Sequence, residues 1–420
     1  MQALKKLTSR LNLRRFEPGI WAAAGIQAIR STAFSICFTY LPLYLYQQHH
    51  IPMTLVGVII LTSGVMSAVS QVVGGMAADR FGHRRMFIVY QIAGLVTLVV
   101  LAVLIGADAA VWSIIVVAIL APTLGAMASP TVSAIVADIS PGNRMTESYG
   151  LLAIGGNIGW AIGPLAGGYL LSAASYAWLF GAGVLISSFS LIGIPFLPRG
   201  SGKGNSKSFS VRSLKSFVSN STLIVFCVVS MLFFLDMAQW GSTLSVFTVD
   251  RIGFSPEQYG VLMTISGVLI IVFQYPISRR IEWLGTRKAL FLGSFLYGAG
   301  FLSLSWVKAF IPAVGSIVIL VAGEMLFVPT ALAVVGKISR PEDRGKNMGF
   351  FGLCETFGSS LGPLLGGFLL DRFPAEPLYL WGPIALSSFA AASGFALWQG
   401  YSQAEVAGDL AVERQNGVTK

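Results

Sequence analysis

Apolar residues run through this chain in long blocks, broken by short polar turns. Runs of about 18 or more apolar residues read as membrane-crossing helices, and the blocks predict twelve of them. The first six are α1 (18–46), α2 (53–78), α3 (84–106), α4 (110–138), α5 (146–172) and α6 (175–197). A Ser/Gly/Lys-rich stretch, 198–220, reads as a flexible linker. Beyond it come α7 (221–249), α8 (256–279), α9 (286–307), α10 (309–337), α11 (346–370) and α12 (377–400). The expected organisation is a six-helix half over 1–197, the linker, a six-helix half over 221–400, and a polar tail over 401–420.

The most polar turn, Gly75 to Arg85 (GMAADRFGHRR), has a weaker copy 203 residues on, SRRIEWLGTRK. Gly57/Gly260, Ser63/Ser266, Gly64/Gly267, Gln71/Gln274, Gly82/Gly285 and Arg84/Arg287 keep that offset. Asp79/Glu282 and Arg85/Lys288 keep it in sign of charge. Pro130/Pro329 and Thr131/Thr330 repeat at an offset of 199. Internal repetition in an apolar chain points to a transporter built from two related halves.

Composition excludes a soluble domain: 11% of residues are charged, where soluble proteins carry about 25%. Cys37, Cys227 and Cys354 lie inside apolar blocks and read as packing residues, with no disulfide framework. The basic N-terminus precedes an apolar block too long for a signal peptide, and no A-x-A site follows, so it reads as retained. The net charge of +10 is not a nucleic-acid footprint, because the bases sit in the connections. Both terminal segments and the even-to-odd connections hold 24 Lys and Arg, and the opposite connections hold three. Basic connections stay inside. Both termini and the linker are therefore expected in the cytoplasm, with the chain in a bacterial inner membrane.

Helix α5 carries Gly155, Gly159, Gly163 and Gly167 at four-residue spacing, with Pro164 and Gly168. Helix α11 repeats this as Gly358, Gly362, Pro363, Gly366 and Gly367. Glycines on one face let a neighbouring backbone approach closely, and each proline can bend its helix. Packing accounts for part of this pattern, and sliding of helices along a smooth seam is the functional reading.

These motifs resemble the major facilitator superfamily over nearly the whole chain. Gly75-x-x-x-Asp79-Arg80-x-Gly82 with Arg84 is similar to that superfamily's signature between α2 and α3. Gly159-x-x-x-Gly163-Pro164-x-x-Gly167-Gly168 is similar to the antiporter signature of its drug:proton exporters. The resemblance implies two six-helix bundles related by a pseudo-two-fold axis, a central cavity lined mainly by α1, α4, α7 and α10, and alternating access. It implies that Asp79 latches the first bundle to the start of α11. His83 stands where the family carries Arg, so Arg84 is the candidate to replace that residue in pairing with Asp138 at the end of α4. The family's exporters often carry an Arg inside α4. The run AILAPTLGAMASP has none, so a proton route through it does not carry over.

Four ionisable residues fall deep inside predicted spans: Arg30, Asp236, Glu324 and Glu355. Such groups cost at least about 2.5–3.5 kcal/mol at the membrane centre. At 1.5 Å of rise per residue they form one layer about 15–24 Å from the cytoplasmic ends. Arg30 paired with one acid as a structural tie is one reading; it leaves the other acids unexplained. The functional reading is that Asp236 or Glu324 binds the coupling proton, that Arg30 modulates it, and that Glu355 governs the neighbouring seam. Around them stand Gln27, Phe34, Asn157, Trp160, Phe233, Gln239, Trp240 and Phe327. Aromatics, a few polar groups and an acid suit a lipophilic cation. His49 and His50 read as solvated, and no metal site is expected. With no nucleotide-binding P-loop and no catalytic constellation, neither a cofactor nor an enzyme is expected.

The resulting expectation is a proton-coupled exporter of lipophilic, often cationic compounds, working as a monomer in the bilayer. A transporter of one sugar or organic anion held by Arg30, and a non-transporting membrane receptor, are the rivals.

Overall fold

The computed structural model describes residues 17–140, 145–198, 221–339 and 344–398. The expected linker beyond Pro198 and the polar tail lie outside these residues.

Among the described residues the chain is helical, with no strand. The helices are α1 Pro18–Phe38 with a second segment Leu41–His49, α2 Met53–Phe81, α3 His83–Gly106, and α4 Val111–Ala126 continuing as Ala128–Ile139. Then follow α5 Met145–Ala173 and α6 Tyr176–Gly193. The second half has α7 Ser221–Met237 with short segments Thr243–Val246 and Phe247–Arg251, α8 Pro256–Leu284, α9 Thr286–Ser303, α10 Phe310–Ile338, α11 Arg344–Arg372 and α12 Pro377–Leu397. Ten helices among the described residues are long and apolar enough to cross a membrane.

The exceptions are α1 and α7, the first helix of each half, expected unbroken over 18–46 and 221–249 and found broken. In α1 the break falls at Thr39–Tyr40, just before Pro42, which lacks the N–H to continue the ladder. In α7 it spans 238–242 and includes Gly241, with Ser242 at φ −128° and ψ −83°. Thr39 and Ser242 are 203 residues apart, so the break is part of the repeat. The charged hairpins repeat too. Gly82 and Gly285 sit between consecutive helices at φ 95° and 83°, a region glycine enters freely.

Packing follows the same pattern in both halves. Helix α1 lies against α5 and α6, as α7 lies against α11 and α12; α4 lies against α2 and α3, as α10 lies against α8 and α9. Between the halves, α2 meets α11 and α8 meets α5. The glycine pairs that revealed the repeat stand at these crossings. A Cβ on Gly57 would lie 2.5 Å from the Pro363 carbonyl and Leu364 Cα, and one on Gly260 would lie 2.6 Å from the Pro164 carbonyl. Gly64 faces Ser360 and Gly267 faces Ala161 in the same way.

These crossings lie in the half of the molecule remote from the charged hairpins, here called the far end. Tyr40 donates to the carbonyls of Pro164 (2.6 Å) and Pro256 (3.3 Å). Arg251 donates to the Tyr46 hydroxyl at 2.8 Å. The exposed carboxylate of Asp371, at the end of α11, accepts from the backbone N–H of Met53 (2.9 Å) and Thr54 (2.7 Å) and from the Thr54 hydroxyl (2.6 Å). Those are orphan donors of the first turn of α2, so one half caps a helix of the other.

Candidate functional site

The glycine seams bind the first helix of each half to the fifth. Gly155, Gly159, Gly163 and Gly167 of α5 face α1 at Ala24, Ser31, Ser35 and Tyr40. The Ser35 hydroxyl donates to the Gly159 carbonyl at 2.9 Å. In the other half Gly358, Gly362 and Gly366 face α7 at Met231, Leu235 and Gln239, and Gln239 Nε2 donates to the Gly362 carbonyl at 2.8 Å. Only Gly168, against Pro256, and Gly367, against Met53, turn towards the opposite half. The seams are thus mainly internal to each bundle, because the four-residue face points at the neighbouring helix and the crossings between bundles fall beside it.

At the hairpin, His83 and not Arg84 makes the link to α4. Its Nδ1 lies 2.9 Å from Asp138 Oδ2 and its Nε2 lies 3.2 Å from Asp79 Oδ1. Arg84 Nη2 instead donates to the Ile194 carbonyl at 3.4 Å, on the far side of the helix start. One residue is a 100° turn on a helix, which is enough to send Arg84 to α6. Arg80 is exposed and lies over the Phe81 ring, and Gly75 packs beside Pro130. The expected latch from Asp79 to the start of α11 falls on 344–346, whose side chains lie outside the described residues. His49 is not simply solvated, since Nε2 stands 2.8 Å from the Tyr44 hydroxyl.

The structure separates the expected substrate residues into two groups. In the first half, Gln27, Arg30 and Phe34 of α1 gather with Trp160 of α5 around a cavity of about 400 Å³. Phe34 meets Trp160 edge-on at 6.0 Å and both remain well exposed. Asn157, one turn earlier on α5, is exposed. Arg30 Nη2 donates to the Gly125 carbonyl at 2.9 Å, at the foot of the α4 bend, and the guanidinium stands 5.8 Å over the Phe87 ring. Arg30 Nη1 is buried without a hydrogen-bond partner among the described residues.

The second group is not a cavity lining but core. Phe233 stacks on Phe327 at 3.8 Å and on Tyr297 at 4.3 Å, and both phenylalanines are fully buried. Trp240 Nε1 donates to the Tyr297 hydroxyl at 2.7 Å. Gln239 is tied to Gly362 and accepts from Thr243. Asp236 is wholly buried and accepts from the hydroxyls of Ser387 and Ser388 on α12. The expectation of an aromatic cage with an acid for a cation is therefore corrected. The face of α7 that carries Phe233, Asp236 and Trp240 points into its own bundle, against α9, α10 and α12. Glu324 is half-buried on α10, near enough to Tyr297 to act on it together with Asp236. Glu355 is exposed on α11. Arg30 pairs with none of these acids, so the structural tie is absent too: the ion pairs among the described residues are those of His83 and Arg251.

Sequence reasoning missed Ser387 and Ser388, the partners of Asp236, and Asp371, the cap on α2. Two adjacent serines in an apolar helix were the available signal for the first. Asp371 joins segments more than 300 residues apart, which no local pattern displays.

Two pseudo-symmetric six-helix bundles, joined along α2–α11 and α5–α8, define a membrane transporter and not an enzyme. The Major Facilitator Superfamily model matches residues 23–255 and 232–412. The chain belongs to that superfamily. It is 28% identical over 240 residues to the MFS-type transporter YttB of Bacillus subtilis, an alignment covering 56% of this chain and 60% of that protein. It is 22% identical to Multidrug resistance protein 1 of B. subtilis, over 79% of this chain and 84% of that one. With the class C tetracycline resistance protein of Escherichia coli the identity is 24%, over 74% and 78%. Among solved structures, the nucleoside transporter NupG aligns with a TM-score of 0.75 at 15% identity, over 91% of this chain and 99% of that one, which shows the fold.

Proposed function

We propose that the chain is a proton-driven exporter of lipophilic small molecules that works as a monomer, with its hairpins and termini in the cytoplasm of a bacterial cell. The observation that carries the proposal is Asp236. A carboxylate with no exposure, inside a bundle and held by two serine hydroxyls and the Ser388 backbone N–H, is costly to keep in a membrane. A proton arriving there turns one acceptor oxygen into a donor, so the serine hydroxyl facing it must reverse and accept, as Ser387 can by turning its hydrogen to the Ile384 carbonyl. Binding and release of the proton then alter how α7 packs on α12. Glu324, half-buried on the neighbouring α10, gives the proton a second carboxylate.

Drug-resistance proteins among the relatives and the Gly159–Gly168 signature support export as the direction. The halves are joined through their far ends, so we read this state as open towards the cytoplasm, where an exporter collects its cargo. Asp79 is paired with His83 in this state, and its reading as a latch to α11 belongs to the opposite one.

Uptake into inverted vesicles, against a panel of lipophilic compounds and with and without an uncoupler, tests the proposal. Uncoupler should abolish uptake, and Asp236→Asn together with Glu324→Gln should do the same. Flux that persists under uncoupler, or normal pumping by that double variant, would overturn it. A transporter of one metabolite bound by Arg30 remains the second reading, favoured by the unpaired guanidinium; one sharp ligand in place of many weak ones distinguishes it.

A further inference from the structure

The two halves are built on one plan, yet the same place is filled in one and open in the other. At the offsets of the repeat, Arg30 corresponds to Phe233 and Gly94 to Tyr297, 203 residues apart, and Gly125 corresponds to Glu324, 199 apart. The register is supported by the seams, where Gly167 meets Ile36 and Tyr40 while Gly366 meets their counterparts Gln239 and Thr243. In the second half Phe233, Tyr297 and Phe327 stack into a solid aromatic core. In the first half the glycines lack the side chains that would close the space, and the cavity of about 400 Å³ stands there, walled in part by Gly94 and Gly125. A volume of that size admits a small organic molecule.

The walls have a definite chemistry. Arg30 contributes the one charge, and Gln27, Gln71 and Gln91 contribute amides. No carboxylate lines the cavity, and none lies within salt-bridge distance of Arg30 among the described residues. One guanidinium nitrogen is satisfied by the Gly125 carbonyl, and another is buried with no acceptor among the described residues. Phe34 and Trp160 supply exposed ring faces at the rim. A half-buried cation with no counter-ion among the described residues is costly, and a carboxylate pairs with a guanidinium through two parallel bonds.

We propose that this cavity binds the anionic group of an aromatic organic acid, with Arg30 pairing the carboxylate and Phe34 and Trp160 packing on the ring. The inference rests on reading the chain as a transporter and narrows its cargo, replacing the cation expected from the sequence. A role for Arg30 in merely holding the α4 bend through Gly125 predicts no such charge preference.

The test is binding to the purified full-length protein in lipid nanodiscs, without any proton gradient, followed by calorimetry. The probes are 2-naphthoate and the cation of 2-naphthylmethylamine, which share a ring system and differ in charge. Naphthoate should bind roughly tenfold or more tighter than the amine. Arg30→Gln should weaken naphthoate by a similar factor and leave the amine unchanged, with Arg30→Lys in between. Equal or tighter binding of the amine to the wild type, or naphthoate binding untouched in Arg30→Gln, would overturn the assignment. If Arg30→Gln fails to fold, the wild-type comparison decides alone. Because no gradient is present, failure here leaves proton-driven export standing, and flux that survives uncoupler leaves the binding result standing.

Discussion

At His83 both ring nitrogens face carboxylate oxygens. Carboxylates only accept, so both bonds form only while the imidazole is protonated. The tie between α2 and α4 is therefore complete below the free histidine range, near about pH 6.5, and is lost as the pH rises through the folded-state titration. Replacing His83 with Arg should keep both acids paired throughout. The unfolding midpoint of the wild type should fall by about 1–2 °C more than that of His83→Arg between about pH 6 and pH 8. Identical pH profiles would show that the bridge contributes nothing. Asp236 makes a second claim at this scale. Asp236→Ala strands the Ser388 hydroxyl inside the bundle, at about 1–3 kcal/mol for a buried donor left unpaired, while Ser387 keeps the Ile384 carbonyl at 2.7 Å. Removing the Ser388 hydroxyl as well should recover most of that loss, and a double-mutant cycle in unfolding free energy reads the difference.

At the scale of elements, the glycines on α2 and α8 matter more for which state is populated than for whether the chain folds. In this state Gly57 and Gly260 touch the backbone of the opposite half. Alanine gains about 1 kcal/mol of helix propensity over glycine wherever it fits, and it does not fit here. Gly57→Ala and Gly260→Ala should therefore push the population away from the far-end-closed arrangement. Asp371→Ala should act in the same direction by removing the cap from α2, worth about 1 kcal/mol or a fivefold shift before solvent screening. The measurement is the yield of a short bifunctional cross-link between cysteines placed at Tyr46 and Arg251, which meet in this far-end-closed arrangement. Each variant should lower the yield, and an unchanged yield in all three would remove these contacts from the account of state choice.

For the whole molecule, transport by the proposed alternation of the two halves would require the far-end contacts to break in every cycle. Cross-linking the Tyr46→Cys/Arg251→Cys pair should stop transport in vesicles, and a cleavable linker should let reductant restore it. Continued flux in a fully cross-linked sample would mean that the halves do not rock apart at this end. Within each bundle the first helix is seated on the fifth along a glycine seam, and the crossings between bundles, α2 on α11 and α8 on α5, also bring backbones together at glycine.

Sequence alone determined the helical membrane fold, the two-fold repetition and the glycine seams. These are local or periodic properties, set by hydropathy along one helix or by comparison of the chain with itself. The breaks in α1 and α7 were only partly legible, in Pro42 and Gly241, because a turn inside an apolar run costs little in hydropathy. What the tertiary structure decided is direction. Periodicity places Phe233, Asp236 and Trp240 on one face of α7, but the rotation of that helix in its bundle chose α12 and the aromatic core as their partners and denied them the cavity. The rotation of α3 sent His83 to Asp138 in place of Arg84, and that of α1 left Arg30 beside an open space that its counterpart in the other half fills with a ring. In a membrane every helix is apolar on nearly all sides, so hydropathy cannot fix that rotation; close packing against neighbours does.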